Sequence, residues 1–313
     1  MSVKEKNFIS CVVYLHNEGA GLIPFLDILN ETIEEHFEKY EIICVDDASD
    51  DDSVKVLQKY VSEKGNMKSV RLVQMSYYQG REAAMNAGRD LAVGDFVYEF
   101  DHAFADYDPK LIMQVYTKAL EGYDIVTAAP KQYIALSSKL FYSVYNWGSR
   151  NANKLQQERF RMVSRRAVNR VGQLNAYVPY RKVMYANCGL NMATIPYDNV
   201  RVEHKSKNAQ EKLHRSDLAF DSFIMFTDVL EKISIGLCCF FLGVMLIIAG
   251  YVISSFFSAY DPVEGWMSTV GIIAFGFFGM FLLMTLILKY LSVILNLTFK
   301  KQRYVISGVE KLK

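Results

Sequence analysis

Three aspartates end short apolar runs: Asp46 and Asp47 in "EIICVDD", and Asp101 in "DFVYEFD". A carboxylate at a strand tip can accept from a base or ribose, or hold the divalent cation of a nucleoside diphosphate. Carboxylates gathered at one sheet edge repel one another and need such partners. Beyond Asp101 the chain reads "HAFADYD". Two residues on, where a second carboxylate would close a metal clamp, stands Ala103. Asp101 is thus the candidate metal ligand, with His102 or Asp106 near enough to help. Mg²⁺ or Mn²⁺ would be held weakly or dispensed with. Mg²⁺ takes only one or two protein carboxylates and keeps its waters, so a single ligand does not exclude it. For Asp46 and Asp47 a plainer use stays open, opening a turn into a helix capped at Ser49 or Asp50.

The elements that must carry these residues alternate. "FISCVVYL", "YEIICVDD", "KSVRLVQMS", "GDFVYEFD" and "YDIVTAA" are predicted strands, and helical patterns fill the intervals between them. Such alternation predicts right-handed βαβ units and an α/β fold with a mostly parallel sheet. Ligands of these sheets bind at the carboxyl ends of the strands. Leu15, Asn17, Glu18, Asp46, Asp47 and Asp101 all fall there. No GxGxxG follows the first strand and no GxxxxGK[ST] occurs, which argues against a dinucleotide fold and a P-loop.

With 35 basic and 34 acidic residues, no bulk attraction to nucleic acid is expected. The five cysteines lack metal-ligand spacing and are expected to be packing residues in a reducing compartment. "MSVKEKNF" runs straight into a strand without a signal peptide, so the N-terminal part is expected in the cytosol. Two stretches, about 233–255 and 266–288, carry no charge, and each suffices for a helix across ~30 Å of hydrocarbon. Their outer flanks are basic and the loop between them holds Asp261 and Glu264. The positive-inside rule then predicts a hairpin with cytosolic flanks. "LHRSDLAFDSFIMFTDVL" and "IALSSKLFYSVYNWGSR" have the spacing of interfacial amphipathic helices, the second offering Lys139 to lipid phosphates. The expected organisation is a cytosolic domain over 1–207, an interfacial helix over 208–231, the transmembrane hairpin over 232–290, and a cytosolic juxtamembrane tail over 291–313.

"ISCVVYLHNE", "EIICVDDASDDDS", "GREAAMNAGRDLAVGDFVYEFD", "SKLFYSVYN" and "FRMVSRRAVNRV", followed by two apolar spans, resemble the family 2 glycosyltransferases of GT-A fold. More narrowly, the chain is similar to the polyprenyl-phosphate glycosyltransferases, which include dolichol-phosphate mannose synthase and the bacterial enzymes that charge undecaprenyl phosphate. The resemblance implies an inverting transferase at the inner membrane, working on the cytosolic face. It would move a hexose from a nucleotide diphosphate sugar to a polyprenyl phosphate, in a homo-oligomer.

By resemblance, Leu15, Asn17 and Glu18 lie beside the nucleoside, and Asp46 bonds the base with Asp47 close by. Asp101 is the first metal aspartate. Arg161, Arg165 and Arg166 meet the acceptor phosphate, with Lys139, Arg201 and Lys205 nearer the lipid. Departures stand at Ala103, Ala105, Tyr77 and Pro130, and at Arg159, where many relatives have an aspartate that serves as candidate base. Glu158 is the neighbouring substitute for that base. A lipid phosphate is already an anion, so little base is needed. The departures keep a second reading open, an impaired or inactive homologue acting as partner or regulator of a membrane glycan-synthesis system.

Overall fold

A computed structural model of the chain describes residues 4–64, 67–131, 142–143, 145–147, 153–174, 180–200, 235–237, 239–241, 243–244, 246–247, 250, 265–299 and 304–313. Two compact units divide it, one of residues 1–222 with 301–313 and one of 223–300.

In the first unit the strands are β1 (Ile9–Leu15), β2 (Tyr40–Asp46), β3 (Val70–Met75), β4 (Phe96–Phe100), β5 (Ile125–Pro130), β6 (Phe160–Ser164), β7 (Met192–Tyr197) and β8 (Ile306–Lys311). They form one sheet of order β7-β5-β6-β4-β1-β2-β3-β8. The pairs β1–β2, β1–β4, β2–β3 and β5–β7 are parallel. Strand β6 runs antiparallel between β4 and β5, and β8 antiparallel along β3. The expected mostly parallel α/β sheet is therefore present. β1 and β2 are buried along their whole length, as parallel strands covered on both faces must be.

The helices are α1 (Leu22–His36), α2 (Ser53–Glu63), α3 (Arg81–Leu91), α4 (Lys110–Leu120), α5 (Arg165–Leu174) and α6 (Arg181–Asn187). α1, α2 and α4 share one apolar core with the Ile9, Cys11, Val13 and Leu15 face of β1 and with Tyr98 and Phe100 of β4. α3 lies on the other face, so close that a Cβ on Gly88 would stand 2.4 Å from Val12 Cγ1 and 2.6 Å from Val45 Cγ2. Cys11, Cys44 and Cys188 are buried free thiols, and burial pushes Cys44 up to about 12. They are packing residues.

Residues 306–311, assigned from the sequence to a tail, are the edge strand β8. Glu310 and Val309 sit opposite Leu72 and Val73 of β3. Just before β8, Val305 and the Gln79 side chain bond each other twice, at 2.7 and 2.8 Å.

The second unit contains α7 (Trp266–Phe299), 34 residues long. The Phe241 and Phe275 rings meet at 5.3 Å, tilted by 49°, and Phe241 presses on Gly279. Phe277, Phe278, Phe281 and Ile287 of α7 are exposed. Counted over the described residues alone, no helix is long and apolar enough to cross a membrane. The expected transmembrane hairpin is therefore not established by the fold. The first span is described only in fragments, and α7 has side chains described along only part of its length. Residues 208–231 lie outside the described residues.

Candidate functional site

Alternation along β4 sends Glu99 and Asp101 to the same face of the sheet, the one that carries α3 and α6. Arg161 of β6 pairs in register with Glu99. α6 delivers Arg181 to the same place. Arg181 Nη2 donates to Asp101 Oδ1 at 2.6 Å, and Arg161 Nη2 donates to Asp101 Oδ2 at 3.0 Å. Glu99 Oε2 accepts from Arg161 Nη1 at 3.0 Å and Arg181 Nη1 at 2.6 Å, while Tyr185 donates its hydroxyl to Oε1 at 2.7 Å. Glu82, in the first turn of α3, accepts from the Arg181 backbone N–H and Nε at 2.9 and 3.0 Å. Glu158 accepts from Arg161 Nη2 at 2.8 Å and stands 3.8 Å from Lys182 Nζ.

Charge and burial oppose each other in this cluster. Burial would raise the Asp101 carboxyl, but Arg181, Arg161 and Arg81 together hold it well below the usual carboxylate range. Glu99 is likewise raised by burial and lowered further by Arg181, Arg161 and Arg89. At the opening, half-buried Arg81 donates from Nη1 to His102 Nε2 at 2.8 Å.

Asp101 was expected to hold Mg²⁺ or Mn²⁺ with help from His102 or Asp106. The residues present do not fit that cation. Both Asp101 oxygens already accept from guanidinium groups. Ala103 and Ala105 are buried and bring no donor. Asp106 is fully buried, bonded to Arg159 through both oxygens at 3.1 and 2.6 Å and to the Tyr197 hydroxyl at 2.8 Å. Among the described residues no group of three His, Cys, Asp or Glu side chains could hold a metal. Glu158 is no open base either, since its side chain is 4% exposed and tied to Arg161.

The tips of β1 and β2 build a second, more polar edge. Asn17 and Ala48 both have positive φ, +56° and +51°, a region that alanine rarely enters. The turn folds Ser49 back so that its hydroxyl donates to Asp46 Oδ1 at 2.5 Å, while Asn17 N–H donates to Ser49 Oγ at 3.1 Å. Asp50 N–H donates to Asn17 Oδ1 at 2.9 Å. The Glu18 and Gly19 N–H groups share Ser53 Oγ at 2.9 and 2.8 Å. Beside them the His16 and Tyr78 rings meet at 4.8 Å. Asp47 behaves otherwise. It is fully buried, takes the Tyr14 hydroxyl at 3.1 Å and Gln79 N–H at 2.8 Å, and burial raises its carboxyl above the usual range. Asp47 pins the β3–α3 loop, and Leu15 is a core residue whose carbonyl accepts from Asp47 N–H at 3.0 Å.

The expected acceptor residues separate. β6 is antiparallel to β4, so Arg165 follows Ser164, which pairs with Phe96 at the opposite end of β4 from Asp101. Five steps of ~3.3 Å put the two ends roughly 17 Å apart. There Arg165 Nε and Nη2 bond Gly94 O at 2.9 and 2.5 Å, and Arg166 is tied through Nε at 2.9 Å and through Nη2 to Asp124. Neither reaches the strand tips. Arg161 does, but at 3% exposure it is the core of the cluster. Lys139, Arg201 and Lys205 lie outside the described residues.

Glu82, Glu99, Arg81, Arg181, Lys182 and Tyr185 were missed. One signal was available, a charged Glu99 in an apolar strand, two residues before Asp101 and hence on its face. Arg181 left none, because its partners Glu82, Glu99 and Asp101 stand 99, 82 and 80 positions before it in the chain.

Comparison with known proteins agrees with the fold. An uncharacterised glycosyltransferase of Synechocystis is 30% identical over 61% of this chain. An undecaprenyl-phosphate 4-deoxy-4-formamido-L-arabinose transferase of Proteus mirabilis is 33% identical over 40% of it. The matches span 60% and 38% of those relatives' own lengths. A mannosyltransferase of Pyrobaculum calidifontis, solved with GDP-Man and Mn²⁺, superposes with a TM-score of 0.52 at 15% identity, over 95% of this chain and 89% of its own. The family profile described as Glycosyl transferase family 2 matches residues 10–177, more than half of the 313 residues, and the chain belongs to that family.

Proposed function

We propose that this protein moves a hexose from a nucleotide diphosphate sugar to a polyprenyl phosphate, on the cytosolic face of a membrane that residues 232–290 enter as a hairpin. The observation that carries the reading is the set of polar strand tips on one sheet edge. Asn17, Asp46 and Asp101 end the adjacent strands β1, β2 and β4, and open α/β sheets bind ligands at that edge. Asp46 and Asn17 suit the nucleoside, and the basic cluster behind Asp101 suits the diphosphate. The acceptor is inferred from the resemblance and from the names of relatives such as the Proteus mirabilis transferase.

One feature supports the bilayer, and because residues 301–313 belong to the same unit as residues 1–222, the proposed crossings are even in number. The aromatic and aliphatic side chains exposed along α7 are those a lipid environment would cover. A homo-oligomer belongs to the same proposal.

The second reading, an impaired homologue that serves as a partner, is favoured by Ala103 and by the saturation of Asp101 with arginine. A radiolabel assay with several nucleotide sugars and undecaprenyl phosphate separates the two. Transfer of label into the lipid fraction is expected. Nucleotide binding without transfer from any sugar donor would make the partner reading the better one.

A further inference from the structure

At the β4 tip the carboxylates Glu82, Glu99, Asp101 and Glu158 meet four cationic side chains, Arg81, Arg161, Arg181 and Lys182, while Arg89, near the other end of α3, pairs with Asp90 at 3.2 Å. Nε of Arg161 is buried with no hydrogen-bond partner, so that guanidinium is not wholly spent on protein acceptors. The two arginines nearest Asp101 are fixed from several sides, Arg181 by Glu82, Glu99 and Asp101 and Arg161 by Glu99, Asp101 and Glu158. A cation so held needs no reorganisation when charge develops in front of it.

We propose that this guanidinium cluster supplies the positive charge that a divalent cation would otherwise supply to a leaving nucleoside diphosphate. Asp101 then serves as a positioning residue for Arg161 and Arg181, and not as a metal ligand. The inference rests on the proposed sheet-tip nucleotide site. Arg81 is the member at the opening. It is the first residue of α3, a helix of 11 residues whose N-cap Gly80 offers no side-chain cap, so the positive end of the helix dipole adds to the Arg81 charge. In the step, an acceptor phosphate oxygen forms the new bond to the anomeric carbon. The bond from that carbon to the β-phosphate oxygen breaks, and its electron pair leaves on the diphosphate. The negative charge gained there is met by Arg81, with Arg161 and Arg181 behind it. No proton need move, because the attacking oxygen is already anionic.

The test is calorimetric titration of the full chain in detergent with UDP and GDP, in EDTA and in millimolar Mg²⁺ or Mn²⁺. Affinity for whichever nucleotide binds is expected to agree within about twofold between EDTA and metal. A loss of about tenfold or more in EDTA would overturn the inference. Absence of binding in every solution would remove the nucleotide site itself and the inference with it, a result distinct from metal dependence. Mn²⁺ titration followed by electron paramagnetic resonance without nucleotide probes Asp101 directly. No bound Mn²⁺ is expected in the wild type. A bound Mn²⁺ that disappears in Asp101→Asn would make Asp101 a ligand and end the proposal. Arg81→Gln, at a half-buried position, should weaken nucleoside diphosphate binding about tenfold with the thermal midpoint of the free protein unchanged. Unchanged affinity would deny Arg81 its place at the diphosphate.

Discussion

Glu99 receives three donors inside the protein and leaves none of its charge to water. Removing one member of such a buried set is costly, because its partners stay buried and charged, typically ~3–5 kcal/mol. Glu99→Gln is therefore expected to lose ~3 kcal/mol in chemical denaturation. Its pH signature is also defined. The Asp101 and Glu99 carboxyls are held below their ordinary range in the fold, so they stabilise the native state above the unfolded carboxylate values of about 4. That contribution is lost as pH falls from there through the folded values. Acid unfolding followed by circular dichroism should accordingly be shallower below about pH 4 in Glu99→Gln than in the wild type. Ala103 is 2% exposed and belongs to the apolar core. Ala103→Asp should therefore destabilise by ~2 kcal/mol or more and should not create metal binding. A gain of Mn²⁺ affinity at unchanged stability would contradict the arrangement described for β4.

At the scale of elements, α3 holds both the opening of the basic cluster and the back of the sheet. Judged by helix propensity, Gly88→Ala should gain ~1 kcal/mol. A Cβ there would stand 2.4 Å from Val12 and 2.6 Å from Val45, so overpacking reverses the sign and a net loss of ~1–3 kcal/mol is expected, read as a lowered thermal midpoint. The β3–α3 loop is pinned from two directions, by Asp47 through Gln79 N–H and by Val305 through the Gln79 side chain. Gln79→Ala removes the two hydrogen bonds to Val305 and a longer one to Tyr77 O at 3.4 Å, ~1–2 kcal/mol in all. Hydrogen exchange should then quicken at Ser76 and at the amides of 304–306, with β1 unaffected. Uniform exchange across the sheet would show that the link does no local work.

For the whole molecule, the proposed hairpin makes a geometric prediction. A cysteine replacing Glu264 should react with an impermeant thiol reagent from outside intact cells, while cysteines near Lys232 or Lys300 should react only after lysis. Labelling of Glu264→Cys only after lysis would sink that topology. The same proposal expects the chain to stay with membranes after a carbonate wash, as an anchor of exposed phenylalanines and isoleucines would require.

Strand–helix alternation, the acidic tips and the uncharged C-terminal runs are local patterns, and local patterns are what a sequence states directly. The mostly parallel sheet and the positions of Asp46 and Asp101 at strand ends on either side of β1 were legible in this way. Asp47 could be read as a ligand or a structural acid from its neighbours alone; only the packing of Tyr14 and Gln79 around it chose the second. The fate of Asp101 was decided by residues 60 and 80 positions away. Arg161 reaches it because β6 turns antiparallel beside β4, and Arg181 because α6 covers that same face. Strand direction also sent Arg165 and Arg166, a few residues from Arg161, to the far end of the sheet. Proximity in sequence sets which residues share a strand, but the direction of the strand and the helix laid over it set which charges meet.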